Sequence, residues 1–184
     1  MNKNNVVFNS MLLIAGLGNK EKRFQLTRHN VGSDIIKKFI KKNFDDSLKL
    51  DKKLNCWFYQ NNHTIYIIPY CFMNESGEII KKIVTKFNVS LNDILIVHDD
   101  TDLIIGKFKL QKNRGSAGHK GIESIIKAFS SKNFWRLRIG VRPNNLKSKA
   151  LNLVLEKFSK EEQKILSDNW EKIENIIKNW VKNH

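Results

Sequence analysis

Short apolar runs alternate along the chain with segments of helical periodicity. Four runs predict strands buried on both faces, namely LLIAGL at 12–17, IYIIP at 65–69, ILIVH at 94–98 and LRIGV at 137–141. NCWFYQ and GKFKLQ predict two less buried strands. Apolar residues spaced by three or four positions predict three intervening helices, with stripes at Ile35, Ile36, Phe39 and Ile40, at Ile79, Ile80, Ile83, Val84 and Phe87, and at Ile122, Ile125, Ile126 and Phe129. The pattern predicts the α/β class, with a mixed, mostly parallel twisted sheet flanked by helices on both faces.

The length of 184 residues fits a single compact domain. Residues 1–10 show little periodicity and precede the first predicted strand, so we expect a dispensable N-terminal extension before a domain at 11–184. A C-terminal helix is predicted from about residue 159, where Ser159 and Glu162 have the spacing of a capping box. Its apolar face comprises Leu166, Trp170, Ile173, Ile177 and Trp180.

The chain is strongly basic, with 33 Lys and Arg residues against 18 Asp and Glu residues and a formal charge of +15. A charge of this size favours an anionic partner, and a nucleic acid ahead of a membrane surface. The chain is also rich in Lys, Asn and Ile together, a bias that A+T-rich coding produces without any function. The positions of the basic residues therefore say more than their number.

The two cysteines, Cys56 and Cys71, have neither metal-ligand spacing nor further cysteine partners, which predicts a packing role in a reducing compartment. The apolar start of the chain is interrupted by Asn9 and Ser10, and no small-residue cleavage site follows it. No apolar run approaches about 18 residues, so we expect no membrane span. Together these features predict a cytoplasmic location.

Polar segments with candidate chemistry follow the predicted strands or open a predicted helix: GLGNKEKRFQLTRHNVG, PYCFMNESG, IVHDDTDLIIGKFKL and GSAGHKGIESII. The carboxyl ends of strands in an open α/β sheet are the usual place for a site, so these segments are expected to converge. A dinucleotide-binding loop is disfavoured because Glu21 stands where its third glycine belongs. The HDDTD carboxylates fit either a solvated turn or a metal site that lacks a second ligand cluster. No nucleophile motif is present, so any hydrolysis would use water.

Seven motifs in this order, LIAGLGN, TRHNVG, FMNESG, VHDDTDL, GKFKL, AGHKG and NFWRLRIG, resemble those of the bacterial peptidyl-tRNA hydrolase family over about residues 11–160. The resemblance implies a compact monomeric α/β enzyme that cleaves the ester between a peptide and the 3′-terminal ribose of tRNA. It further implies that the acceptor stem and 3′ end of tRNA are the bound partner. It also implies that no metal or organic cofactor is needed.

The resemblance assigns catalytic roles to His29, Asp99 and Asn19. His29 matches the family's catalytic histidine, and a neutral imidazole is a natural general base for activating water near pH 7. Asp99 matches the aspartate that supports this histidine, since a carboxylate on the other ring nitrogen fixes the tautomer and stabilises the imidazolium. Asn19 matches an asparagine that helps to distinguish peptidyl from free aminoacyl ends. As isolated residues, Asn19 could instead belong to a turn or a helix N-cap, and His29 could pack at a helix start.

Further residues are implied to bind the substrate or tRNA: Phe24, Phe72, Asn74, Lys109, His119, Lys120 and Arg138. Lys109 and Arg138 are expected to hold one tRNA phosphate without regard to sequence. The chain departs from the family at Lys20, Glu21 and Phe24, where proline, glycine and tyrosine are usual. It departs again at Lys120, where asparagine is usual. A non-catalytic RNA-binding relative and a hydrolase of another ester or amide remain alternative hypotheses.

Overall fold

The computed structural model describes residues 10–144 and 153–184, which form one seven-stranded sheet covered by helices. The strands are β1 (Leu12–Gly16), β2 (Lys49–Asp51), β3 (Cys56–Asn61), β4 (Thr64–Pro69), β5 (Ile94–Ile104), β6 (Phe108–Lys112) and β7 (Trp135–Arg142). Their order across the sheet is β2-β3-β4-β1-β5-β7-β6. The four strands β4, β1, β5 and β7 run parallel, whereas β2, β3 and β6 pair antiparallel with their neighbours. The predicted mixed α/β sheet is confirmed.

In the part of the chain that the structure describes, five α-helices cover the two faces of this sheet: α1 (Val31–Phe44), α2 (Ser76–Phe87), α3 (Lys120–Phe129), α4 (Lys160–Asp168) and α5 (Trp170–Lys182). Alternate residues of each central strand face opposite ways. Leu12 and Ile14 accordingly join the core beneath α1, α4 and α5. Leu13 and Ala15 join the second core beneath α2 and α3. The central strands are therefore buried on both faces, as their continuous apolar runs predict.

The single C-terminal helix predicted from about residue 159 is two helices. The capping box of Ser159 and Glu162 is present at the start of α4, but α4 and α5 are separated at Asn169. The Asn169 side-chain amide donates to the carbonyl of Ile165 at 2.9 Å, a local bond of the kind that competes with regular helix geometry. The apolar spacing continues across this residue, so periodicity alone does not reveal the break.

Strand β5 is longer than its apolar run predicts. It pairs with β7 as far as Asp100 opposite Gly140, and the register shifts between Asp100 and Ile104. The whole HDDTD segment therefore lies within a strand, although its polarity is typical of a loop. The backbone pairing with β7 holds this polar end of β5 in place, so Asp99 is carried by the sheet itself.

The short edge strand β2 is absent from the predictions because its three residues are at least partly exposed and show no apolar alternation. The extension predicted at 1–10 lies almost wholly outside the described residues. Among the described residues, no helix combines the length and the apolar character needed to cross a bilayer.

Both cysteines are buried and free. Burial raises the pKa of the Cys56 thiol to about 12 and that of Cys71 to about 11. The thiols are therefore protonated near neutral pH, which suits the predicted packing role and disfavours a role as nucleophile.

Candidate active site

The candidate site lies where α1 begins against the carboxyl ends of β1 and β5. The approach is close, because a Cβ built on Gly32 would lie 2.2 Å from the carbonyl oxygen of Val97. A Cβ on Gly16 would lie 2.5 Å from the carbonyl oxygen of Gly32. Any larger residue at either position would push α1 away from the sheet. The glycine of TRHNVG thus brings His29 down to the end of β5.

Three predicted residues meet directly at this point. Nδ1 of His29 lies 2.8 Å from Oδ1 of Asp99, and Nε2 of His119 lies 2.9 Å from the same oxygen. The three side chains are nearly buried, with 10% of His29, 1% of Asp99 and 9% of His119 exposed. One carboxylate oxygen therefore receives two imidazole groups that come from different parts of the chain.

The surroundings of the two histidines determine their tautomers. Nδ1 of His119 accepts the backbone N–H groups of Gly121 and Ile122 at the start of α3, at 3.1 and 3.3 Å. Its proton is therefore on Nε2, which donates to Asp99. His29 donates to the same carboxylate through Nδ1, and this leaves the lone pair of the neutral ring on Nε2. His29 thus has the tautomer that a general base requires.

Asp99 remains ionised although it is buried. Burial by itself raises the pKa of this carboxyl, but the electrostatic interactions and hydrogen bonds with His119 and His29 outweigh it and hold the pKa well below its usual range. The site therefore contains a fixed negative charge next to His29, and this charge would stabilise an imidazolium.

A third histidine, His98, lies behind the pair. Its Nδ1 donates to the backbone carbonyl of Asp99 at 2.6 Å, and its ring meets that of His119 edge-on at 4.8 Å. Burial, followed by the neighbouring His119, lowers the pKa of His98 well below its usual value. Among the described residues, its Nε2 has no hydrogen-bond partner. His98 is thus a neutral support for the backbone that carries Asp99.

Ligand atoms of His29, Asp99 and His119 lie within 4.8 Å of one another, which is close enough to hold a metal ion. The observed hydrogen bonds use the same atoms with protons between them. A cation bound here would have to displace both protons. Nδ1 of His119 is already occupied by α3, so this ring could not rotate without uncapping that helix. The arrangement is better suited to hydrogen bonding, and the absence of a cofactor stays a prediction.

Asn19 forms the other side of the site. Its Oδ1 accepts the backbone N–H of Met73 at 2.9 Å. Its backbone N–H donates to Oδ1 of Asn30 at 2.9 Å, and Nδ2 of Asn30 donates to the Asn19 carbonyl at 3.0 Å. Asn30 thus links two loops instead of capping α1 with its side chain. Because the Asn19 oxygen is occupied, its amide N–H groups are the part available for a substrate.

Three more predicted residues lie around this core of the site. Phe72 is half-buried next to Met73, and Asn74 is exposed in the following turn. Lys120 lines the same cleft as His29, Asp99 and His119, and its ammonium pairs with Glu123 at 3.1 Å. Phe24, in contrast, lies in a surface turn with the Arg23 guanidinium 4.7 Å above its ring.

The two residues expected to clamp one phosphate occupy different environments. Lys109 is exposed on β6, opposite Arg138 on β7. Arg138 is buried, and its Nε donates to Oδ2 of Asp100 at 2.5 Å. Arg138 also donates to Gln111. The sequence shows both cations on neighbouring strands but does not show that Arg138 already has a carboxylate partner.

Several residues contribute to the site although the sequence does not predict them there. His98 stands next to Asp99 in the motif, yet nothing in the sequence shows that its ring turns into the protein. Val154 lines the cleft from the C-terminal part of the chain. Arg28 pairs with Glu162, 134 residues away, and neither residue carries a pairing signal in the sequence.

Comparison with known proteins places this geometry in a family. The family model for peptidyl-tRNA hydrolase matches residues 13–184. The chain belongs to the peptidyl-tRNA hydrolase family. It is therefore an enzyme of the hydrolase class. A peptidyl-tRNA hydrolase of Lactobacillus gasseri is 39% identical over 175 residues, with 94% of each chain covered. One of Mycoplasma mycoides subsp. mycoides is 40% identical over 171 residues, with 90% of this chain and 91% of the relative covered.

Solved structures of peptidyl-tRNA hydrolases share the fold. That of the Acinetobacter baumannii enzyme superimposes with a TM-score of 0.83 at 28% identity, covering 94% of this chain and 89% of the other. An Arg119Gln mutant of the enzyme from the same organism superimposes with a TM-score of 0.85, at the same identity and coverage. The peptidyl-tRNA hydrolase fold thus extends over nearly the whole chain.

The environment of His98 predicts a specific loss of stability in acid. Its pKa is lowered in the folded protein, so below about pH 6.5 the unfolded chain binds a proton that the folded protein does not. Stability therefore falls with decreasing pH, by up to about 1.4 kcal/mol per pH unit from this residue. The His98→Asn variant should show a shallower fall between pH 6.5 and 5 in urea unfolding. An equally steep fall would contradict the burial of a neutral ring.

Proposed function

We propose that the protein hydrolyses the ester between a peptide, or an N-blocked aminoacyl group, and the 3′-terminal ribose of tRNA, with His29 as general base and Asp99 as its partner. The observation that carries this proposal is the 2.8 Å contact between Nδ1 of His29 and the ionised Asp99. Membership of the peptidyl-tRNA hydrolase family supports the substrate class. The same membership favours recycling of peptidyl-tRNA from stalled or aborted translation as the role.

The proposed reaction uses water as its nucleophile. Nε2 of His29 takes a proton from water as the water oxygen attacks the ester carbonyl carbon. The tetrahedral intermediate then collapses, the bond to the ribose oxygen breaks, and that oxygen takes the proton back from the imidazolium. The products are a free carboxylic acid and tRNA with a free hydroxyl group. Asp99 stabilises the imidazolium between the two proton transfers.

His119 acts on this base through Asp99. A buried carboxylate with one donor would be poorly solvated, and the second hydrogen bond at 2.9 Å supplies part of what water would provide. Because α3 fixes the His119 tautomer, this donor cannot turn into an acceptor by a simple proton shift. His119 thus holds Asp99 in its charged form and in one orientation.

Asn19 is suited to recognising the peptide part of the substrate. The Met73 N–H occupies its side-chain oxygen, so its amide group presents donors to a carbonyl. A peptidyl or N-blocked end has such a carbonyl on its α-nitrogen, whereas a free aminoacyl end has a charged amine. Asn74 and the ring of Phe72 lie next to Met73 and extend this wall of the site.

Binding of tRNA is assigned to the exposed basic side chains near the cleft, in line with the charge of +15. Lys109 is accessible on β6, and Lys120 lines the cleft. Arg138 would contribute to phosphate binding only by exchanging the Asp100 carboxylate for a phosphate. Phe24 would stack on a base or sugar through its ring alone. A cytoplasmic monomer acting on the acceptor stem and 3′ end of tRNA completes the proposal.

The direct test compares release of an N-acetylated amino acid from tRNA with release of the unblocked amino acid. The parent protein should cleave only the blocked ester at an appreciable rate, because only that substrate has the carbonyl for Asn19. His29→Asn should lower turnover by about 10² to 10⁴, the usual contribution of a positioned base. Its melting temperature and tRNA affinity should stay close to those of the parent.

Each of the other hypotheses gives a different result in this assay. A non-catalytic RNA-binding relative would bind tRNA and release nothing. A hydrolase of another ester would cleave a simple N-blocked amino-acid ester as well as the tRNA ester. Retention of parental turnover by His29→Asn would remove His29 from the mechanism.

The role of Lys109 predicts a change in salt dependence. If its ammonium neutralises a phosphate, Lys109→Ala should weaken binding of different tRNAs alike and reduce the log–log salt slope by about one. Lys164→Ala is the matched control, because Lys164 is exposed on α4 and paired with Asp168 at 2.7 Å. Equal slopes for Lys109→Ala and the parent would assign the phosphate to another cation.

A further inference from the structure

We propose that the buried ion pair between Arg28 and Glu162 is a positioning device for the catalytic histidine, through which the C-terminal part of the chain sets the geometry of His29. This inference rests on the proposed function. It assigns a role in catalysis to two residues outside the reacting groups.

The Arg28 side chain makes several polar contacts through its terminal nitrogens, while its buried Nε has no hydrogen-bond partner among the described residues. Its Nη2 donates to both carboxylate oxygens of Glu162, at 2.8 and 2.9 Å, and its Nη1 donates to the carbonyl of Lys157 at 2.8 Å. The guanidinium also lies 5.0 Å from the centre of the Phe158 ring. Only 5% of the Arg28 side chain and 12% of the Glu162 side chain are exposed. The pair is held in a single arrangement.

The backbone of Thr27 and Arg28 is joined to the same segment. The Arg28 N–H donates to the carbonyl of Glu156 at 3.0 Å, and Thr27 forms a β-bridge with Lys157. Arg28 and His29 are successive residues of one short 3₁₀ turn, Arg28–Asn30. A shift of Arg28 therefore moves the His29 backbone and changes the contact between His29 and Asp99.

The segment that holds Arg28 also reaches the cleft. Val154 lines it together with His29, Asp99 and His119. Glu162 caps the start of α4, since its Oε2 accepts the Ser159 N–H at 2.8 Å. The Glu162 carboxylate thus joins the start of α4 to the turn that carries His29.

Stability alone is a weak reason for this pair, because desolvation offsets most of the attraction between two buried charges. The two terminal nitrogens of the Arg28 guanidinium, which bond to Lys157 and Glu162, fix the position and orientation of the turn that carries His29. A general base next to its carboxylate requires such a fixed geometry. A device for positioning should therefore affect turnover more than it affects substrate binding. A purely structural pair would change the amount of folded protein and leave the turnover of folded molecules unchanged.

The test measures kcat, KM and melting temperature for Glu162→Gln, Arg28→Gln and Arg28→Lys with N-acetylaminoacyl-tRNA as substrate. Glu162→Gln and Arg28→Gln should lower kcat about 10- to 100-fold while KM changes less than about two-fold, since small displacements of a catalytic group have effects of this size. Arg28→Lys keeps the charge, but one ammonium group cannot make the contacts of both guanidinium nitrogens. The fall in kcat should therefore be smaller for Arg28→Lys than for Arg28→Gln.

Glu174→Gln is the matched control. Glu174 is also buried, and its carboxylate joins α5 to α1 through Lys42 at 2.7 Å while pairing with Lys178 at 2.6 Å. This variant should lower the melting temperature about as much as Glu162→Gln does and leave kcat unchanged. Equal kcat for Glu162→Gln and Glu174→Gln, measured well below both melting temperatures, would overturn the proposal.

A measurement without substrate separates this inference from the proposed function. In ¹H–¹⁵N spectra of the histidine rings, the proton on Nδ1 of His29 should give a strongly downfield ¹H signal because it is hydrogen-bonded to Asp99. The signal should shift or broaden in Glu162→Gln and persist in Glu174→Gln. An unchanged signal in Glu162→Gln would overturn the inference even in an active enzyme. Absence of hydrolysis by the parent would instead contradict the proposed function.

Discussion

A single carboxylate oxygen, Oδ1 of the buried Asp99, accepts hydrogen bonds from two histidines, and the other features of the site depend on this arrangement. Burial alone would favour the protonated acid, which cannot orient a base. The two imidazole donors reverse that preference and hold the pKa of the carboxyl well below its usual range. The charge thus preserved is the one that would stabilise an imidazolium on His29 during ester hydrolysis.

Separate parts of the fold place the three groups. The end of β5, paired with β7, carries Asp99, and the close approach of α1 at Gly32 brings His29 down to it. The start of α3 fixes His119 by using its ring as the helix cap. The proposed fourth support comes from the C-terminal segment through Arg28. Only the folded chain brings these groups together, which explains why the candidate catalytic residues are scattered along the sequence.

The sequence allows much of this to be predicted, because the apolar runs and stripes report burial directly and the ordered motifs carry the resemblance to the family. The motifs predict His29, Asp99 and His119 in one site, and the structure brings them together. The extension of β5 through polar residues depends on its pairing with β7, which local composition does not show. The break at Asn169 preserves the helical spacing. The burial of Arg138 against Asp100, and that of Arg28 against Glu162, depend on contacts between distant segments and leave no local pattern.

A double-mutant cycle on His29 and Asp99 tests the central claim, that these residues act as one unit, most directly. Turnover of N-acetylaminoacyl-tRNA is measured for His29→Asn, Asp99→Asn and the double variant, with melting temperatures to confirm folding. Residues that act as a unit are strongly non-additive, so the double variant should be little slower than His29→Asn alone. Losses that multiply would show that Asp99 acts independently of His29 and would contradict the account.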